Sequence, residues 1–141
     1  MGVVDGVYFR MRKTGVAVDD PLAYCVYPKS EYALLATALC DACCRYLFWS
    51  FDCQPTVHDS VAWSQCELGM KVANGELPSE YFLNGDAAYN VSDQMVIPFG
   101  APGLTDFDYV QSSNRIVIER AFGVMICRFP SPPLTRPLKH R

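Results

Sequence analysis

The sequence predicts a mixed α/β domain, and three observations carry that prediction. Half of the residues are hydrophobic and 13% are aromatic, which supplies a packed core and argues against disorder. Short runs rich in β-branched residues alternate with longer stretches of helical spacing. The resulting order is strand, two strands, helix, strand, loop, helix, a sheet with helices packed on it. At 141 residues, the chain is expected to form one domain.

The opening stretch GVVDGVYFRMRK reads as a strand because Val3, Val4, Val7, Tyr8 and Phe9 favour extended backbone. KTGVAVDDPLAY follows as a loop, marked by Gly15, two acids and Pro21. YALLATALCDACCRYLFWSFDCQ allows two readings. Leu34, Leu35, Ala38 and Leu39 could sit on a helix, and the run is also apolar enough for two buried strands turning near residues 41–45. The strand reading is adopted in the order above. HDSVAWSQCELGMKVANGELP reads as one helix, capped by Asp59 or Ser60, with Val61, Cys66, Leu68 and Val72 as apolar positions and NGELP as its stop. A short strand at residues 81–83 is broken at Gly85. Proline and glycine mark VIPFGAPGLTDFDYVQSSN as a loop. The last helix, RIVIERAFGVMICRF, reads as amphipathic and begins near residues 112–114, with Ser113 or Asn114 as its cap. The domain is therefore expected over residues 1–129, with a Pro-rich basic tail at 130–141.

Charge narrows the function classes. The net charge is −3 and the pI about 5.2, whereas free-standing nucleic-acid binders are usually basic. The one obvious basic cluster is residues 136–141. The N-terminus lacks a basic region followed by an apolar core, so no secretory signal is expected. No segment reaches the roughly 18–20 apolar residues of a membrane helix. A reducing compartment is then the default, and seven cysteines, an odd number, are expected to stay free of a disulfide framework. Cys40, Cys43, Cys44 and Cys53 could be read as a small zinc-binding domain, but zinc would want a second matching pair. Thiols packed as small apolar residues are the preferred reading.

Three carboxylates stand in unusual company. Asp5 lies inside a β-branched run before Gly6, Asp86 follows Gly85 at the end of an apolar strand, and Glu119 sits on the last helix. An acid beside glycine at a strand end can point into a cleft, because glycine permits tight turns and close approach. Three such acids could hold a divalent cation such as Mg²⁺, which takes oxygen ligands and keeps several waters. Paired metal ions can activate a water and steady the leaving oxygen in phosphodiester cleavage. The plain alternative for each acid is a solvated turn residue or a cap. For Glu119 it is a surface pair four positions away, contributing roughly a few tenths of a kcal/mol.

The stretches VVDGVYFRM, CQPTVHDSVAWSQ, GELPSEYFLNGDAAYN, IPF and SSNRIVIERAFGVMICRF occur in this order along residues 3–129. Together they resemble the DDE superfamily endonuclease domain of the Harbinger-type transposases, where a "DG" strand, an "HDS" element, a "GDxxY" element and a terminal "R..IE..FG.L..RF" helix recur in the same order. The resemblance implies an RNase H-like mixed sheet flanked by helices, with an acid triad gathered at one edge. By motif position it assigns Asp5, Asp86 and Glu119 as catalytic metal ligands for Mg²⁺ or Mn²⁺, acting on DNA phosphodiesters without a covalent protein intermediate. It also implies a nuclear protein, with a separate Myb-like partner protein that targets DNA.

Within that resemblance some assignments stay open. Asp41 in LCDACC could replace Asp5 as the first acid, although an RNase H-like sheet presents its first acid from the first strand. Asp59 of HDS could support the metal or cap the following helix, the cap being preferred, with His58 in a supporting or packing role. Arg115, four residues before Glu119, could orient that carboxylate or contact a DNA phosphate. The chain departs from the family pattern at PKSEYALL, and QPTV stands where PGS is usual. The abrupt start at the first strand and the end soon after Glu119 imply a fragment or a degraded copy. The rival function is a catalytically inactive, transposase-derived remnant that acts as a protein-interaction module.

Overall fold

The computed structural model describes residues 1–12, 20–26, 31–51, 53–100 and 105–129. The centre of the fold is a long antiparallel pair. β1 (Gly2–Met11) runs against β3 (Glu31–Cys40), with Val3 opposite Cys40 and Asp5 opposite Ala38. Alternation along β1 sends Val3 and Val7 to one face and Val4 and Tyr8 to the other. β2 (Cys25–Val26) and β4 (Tyr46–Ser50) both pair antiparallel with β3, at its opposite ends. On the other side of β1 lie β5 (Leu83–Asn84) and β6 (Met95–Val96), both parallel. The sheet is therefore mixed, in the order β2–β3–β1–β5–β6 with β4 beside β3. This is the α/β class expected from the sequence, and the sheet is compatible with a short RNase H-like arrangement.

The apolar run at residues 32–50 is strand, not helix. Asp41 builds the turn between β3 and β4. Its carboxylate accepts from the backbone N–H groups of Cys43 and Arg45 at 2.8 and 2.9 Å and from Arg45 Nε at 2.7 Å. Cys44 then takes a left-handed φ of 59°.

The single helix expected after His58 is two helices, α1 (Asp59–Gln65) and α2 (Glu67–Ala73). Cys66 breaks them apart with extended backbone, and its thiol accepts from Gly69 N–H at 3.3 Å as the cap of α2. The corner is tight: a Cβ on Gly69 would lie 1.9 Å from the Trp63 carbonyl oxygen. Residue 69 has to be glycine for α2 to turn this close to the end of α1. The cap of α1 is His58, whose ring nitrogen faces Ser60 N–H, and not Asp59 or Ser60.

The longest helix, α3 (Asp106–Arg128), begins well before residues 112–114. Thr105 and Asp108 form a capping box: Thr105 Oγ1 accepts from Asp108 N–H at 3.1 Å, and the Asp108 carboxylate accepts from Thr105 N–H at 3.2 Å. DFDYVQSS is thus helix rather than loop. VIPF also hides a strand, since Met95 and Val96 form β6. The amphipathic reading of α3 holds only in part. Ile118, Ala121 and Phe122 are buried with Gln111, while Ile116 and Val124 are exposed.

Two cores flank the sheet. On one face Ile118, Ala121 and Phe122 of α3 pack on Val3, Val7, Ala36 and Ala38. Full burial of a side chain such as Ile118 contributes ~1.5–3 kcal/mol. On the other face Trp63, Cys66 and Val72 pack on Val4, Leu39 and Leu83. Cys40 sits fully inside the first core, and burial pushes its thiol up to about 11, which disfavours the thiolate a zinc site needs. Among the described residues, no helix is long and apolar enough to cross a membrane. Of the loop expected at residues 13–24, residues 13–19 lie outside the described residues and Pro21–Tyr24 form a short 3-10 helix capped by Asp20; the tail expected at 130–141 also lies outside them.

Candidate active site

The parallel pair sets the geometry. Gly2 stands opposite Leu83 and Val3 opposite Asn84. Asp5 and Asp86 each follow two residues later, so one register brings both acids level. Pairing between β1 and β5 stops at Val3 and Asn84, and Asp5 therefore faces a notch in the sheet beyond the short strand.

A cation lies between them. Arg115 Nη2 is 3.7 Å from Asp5 Oδ2 and 3.9 Å from Asp86 Oδ2. All three side chains are partly buried, Asp5 at 19% exposure, Arg115 at 22% and Asp86 at 31%. The helix that carries Arg115 is fixed one turn earlier. Gln111 is buried and donates to Asn84 Oδ1 at 2.7 Å and to the Gly85 carbonyl, while Asn84 Nδ2 donates back to the Gln111 carbonyl at 3.4 Å. Gln111 thus locks α3 to the end of β5, and Arg115 follows on the same helix face.

Each carboxylate also accepts from a backbone N–H close by in sequence. Asp5 Oδ1 accepts from Gly6 N–H at 2.9 Å, and Asp86 Oδ1 accepts from Ala88 N–H at 2.8 Å. Burial raises the Asp5 carboxyl to about 6, and the nearby Asp86 and Asp59 charges push the same way against the lowering by Arg115 and Gly6. Asp59 reaches this neighbourhood from the other face. It is buried, and a Cβ at position 6 would lie 2.9 Å from its Oδ1, so glycine makes room for it. The preferred reading of Asp59 as a cap is corrected here: as the first residue of α1 it turns its carboxylate onto β1. Tyr89 closes the floor. Its ring packs edge-on against Trp63 with centroids 5.8 Å apart, and its hydroxyl is buried without a hydrogen-bond partner among the described residues.

Glu119 lies one turn beyond Arg115 on α3 and is exposed. It makes no hydrogen bond or ion pair with another described residue. Asp41 is engaged in its turn, and that engagement lowers its carboxyl below the usual range. The structure thus joins Asp5, Asp86 and Arg115, adds Asp59 beneath them, and leaves Glu119 one turn away. Among the described residues no three His, Cys, Asp or Glu side chains form a metal-sized group. The acid pair does fit a cation: it offers hard oxygen donors, and a guanidinium already occupies the space between them. Mg²⁺ is commonly held by one or two carboxylates, with water and phosphate completing its shell.

Sequence reasoning missed Gln111, Asn84 and Tyr89. The tyrosine was in view as the last residue of GDxxY, but nothing in the spacing says that it is buried beside three acids.

The fold and site define an α/β domain that gathers acidic side chains around a basic one beside its central strand. The family follows from the sequence as a whole: the profile of the DDE superfamily endonucleases matches residues 4–140, and the chain belongs to that family. No curated protein and no solved structure gives a match.

Proposed function

We propose that this domain is a metal-dependent DNA endonuclease that hydrolyses or transfers phosphodiesters in the manner of a transposase. The observation that carries the reading is the parallel register that sets Asp5 level with Asp86 beside Arg115. Asp5 and Asp86 would hold Mg²⁺ or Mn²⁺, with Glu119 as the third carboxylate. When bound, the ion supplies activation of a water or 3′-hydroxyl and charge stabilisation of the leaving oxygen.

The chain's own residues do the rest. Asp5, with its carboxyl raised to about 6, is ionised at neutral pH and available as a ligand. Gly6 and Ala88 N–H groups fix the two carboxylates, leaving Oδ2 of each directed toward the gap. Glu119 sits one turn, about 6 Å, further along the helix axis than Arg115. The order of the sequence motifs supports the Harbinger-type subgroup, and with it a nuclear location and a Myb-like partner that supplies DNA targeting. In this reading residues 1–129 are the nuclease unit and 130–141 a basic tail.

The test is nicking of supercoiled plasmid in Mn²⁺. Wild-type protein nicks, and Asp86→Asn loses at least tenfold of that rate. Equal nicking by both overturns the assignment.

One observation favours a second reading, an inactive remnant that binds another protein. An apolar groove of about 670 Å³ lies between β1, β4 and the end of α3, lined by Phe9, Tyr46, Trp49, Phe51, Met125 and Phe129. No Mn²⁺-dependent nicking by the wild type would favour that reading.

A further inference from the structure

The contact between Arg115 and the two acids is weaker than an arginine–carboxylate pair normally makes. Charge-assisted N–H···O bonds run at roughly 2.7–2.9 Å. Here Nη2 stands 3.7 and 3.9 Å from the carboxylates, beyond hydrogen-bond range for both. Its Nε is buried and has no partner among the described residues. Toward Asp5 and Asp86 the guanidinium is therefore held by charge, without directed bonds. The helix behind it is fixed by Gln111, so the side chain can leave without moving α3.

Resting on the metal-site reading above, we infer that Arg115 is an internal counter-ion, exchanged for the divalent cation and thereby released toward a nucleic-acid phosphate. The reasoning is electrostatic. Asp5, Asp86 and Asp59 bring three carboxylates into one partly buried region, and without a cation they repel. Arg115 offsets that repulsion in the metal-free chain. A guanidinium and a divalent cation cannot both occupy the gap, because like charges at this range repel strongly. Displaced, Arg115 carries an unsatisfied fork of N–H donors, and a phosphate accepts such a fork in two parallel bonds. Metal loading and phosphate capture are then coupled through one side chain.

The exchange makes a prediction of unusual sign. Removing a side chain at a binding site normally weakens binding, but removing a competitor strengthens it. In calorimetric titrations with Mn²⁺ at pH 7.5 and low salt, Arg115→Met binds at least about tenfold tighter than wild type, the size of effect a neighbouring unit charge has on proton binding. Arg115→Lys keeps the competing charge and stays near wild type. Exposed Arg120→Met serves as the control and leaves the affinity unchanged. Without metal, Arg115→Met melts below wild type, and Mn²⁺ raises its melting temperature by more. If Arg115→Met fails to fold, Arg115→Gln replaces it. Binding by Arg115→Met equal to or weaker than wild type overturns the exchange while leaving the metal site standing. Absence of Mn²⁺ binding in every variant, wild type included, removes the metal site and the exchange with it.

Discussion

Asp5→Asn should make the metal-free domain more stable at pH 8 and not at pH 4. Burial lifts the Asp5 carboxyl from 3.8 to about 6. At ~1.36 kcal/mol per unit, the ionised form costs about 3 kcal/mol in the folded chain. Water at the exposed fifth of the side chain trims this to about 2–3 kcal/mol. The native chain binds the Asp5 proton more tightly than the unfolded chain. Stability associated with Asp5 is therefore full below pH 3.8 and falls as pH rises to about 6. Asparagine is neutral throughout and keeps an oxygen to accept from Gly6 N–H. Its advantage over aspartate opens above pH 4 and is complete above pH 6. For a chain of this size the gain corresponds to about 6–10 °C in melting temperature. The assay is thermal denaturation followed by circular dichroism in EDTA at both pH values. An equal difference at pH 4 and pH 8, or a less stable variant at pH 8, would refute the account of Asp5 as a buried, strained carboxylate.

Three further predictions follow from other parts of the molecule. Mn²⁺ should raise the melting temperature of the wild type, since a ligand of the native state stabilises it by mass action, and Asp86→Asn should abolish most of that rise and of the binding heat. Gly69→Ala should destabilise the domain by roughly 2–3 kcal/mol in urea titrations, because the added carbon would lie 1.9 Å from the Trp63 carbonyl oxygen unless α2 moves. The isolated chain should bind duplex DNA weakly and with little sequence preference in gel shifts at physiological salt, given twelve Lys and Arg against fifteen Asp and Glu; removing residues 137–141 should flatten the salt dependence of what binding remains.

How much of this was legible in the sequence depends on how local each signal is. The long strand β1 could be read because Val3, Val4, Val7 and Phe9 carry their own extended preference. Two strands at residues 32–50 were one of two readings, and the choice rests on the Asp41 turn, whose hydrogen bonds no periodicity displays. The start of α3 was missed although Thr105 and Asp108 spell a capping box, because flanking proline and glycine read as loop. The break at Cys66 was illegible for a different reason. Cysteine is a rare cap, and the cause is a close approach between Gly69 and Trp63 that exists only after folding. At the site, glycine beside Asp5 and Asp86 pointed to both acids. Their mutual position did not, because it depends on a parallel pairing across some eighty residues of chain. Asp59 looked like a cap for the same reason: its approach to Gly6 is a tertiary contact.

That parallel pairing has a consequence for how a sequence with this fold can change. From Val3 to Asp5 and from Asn84 to Asp86 the spacing is the same, so the two acids meet only while those spans keep equal length. Substitution at Asn84 or Gly85 also disturbs the contacts to Gln111 and Tyr89 that hold this end of the strand. One inserted or deleted residue shifts a carboxylate by about 3.3 Å and turns it to the opposite side of the strand. Equal length in these two short spans is therefore a condition for the acid pair to form.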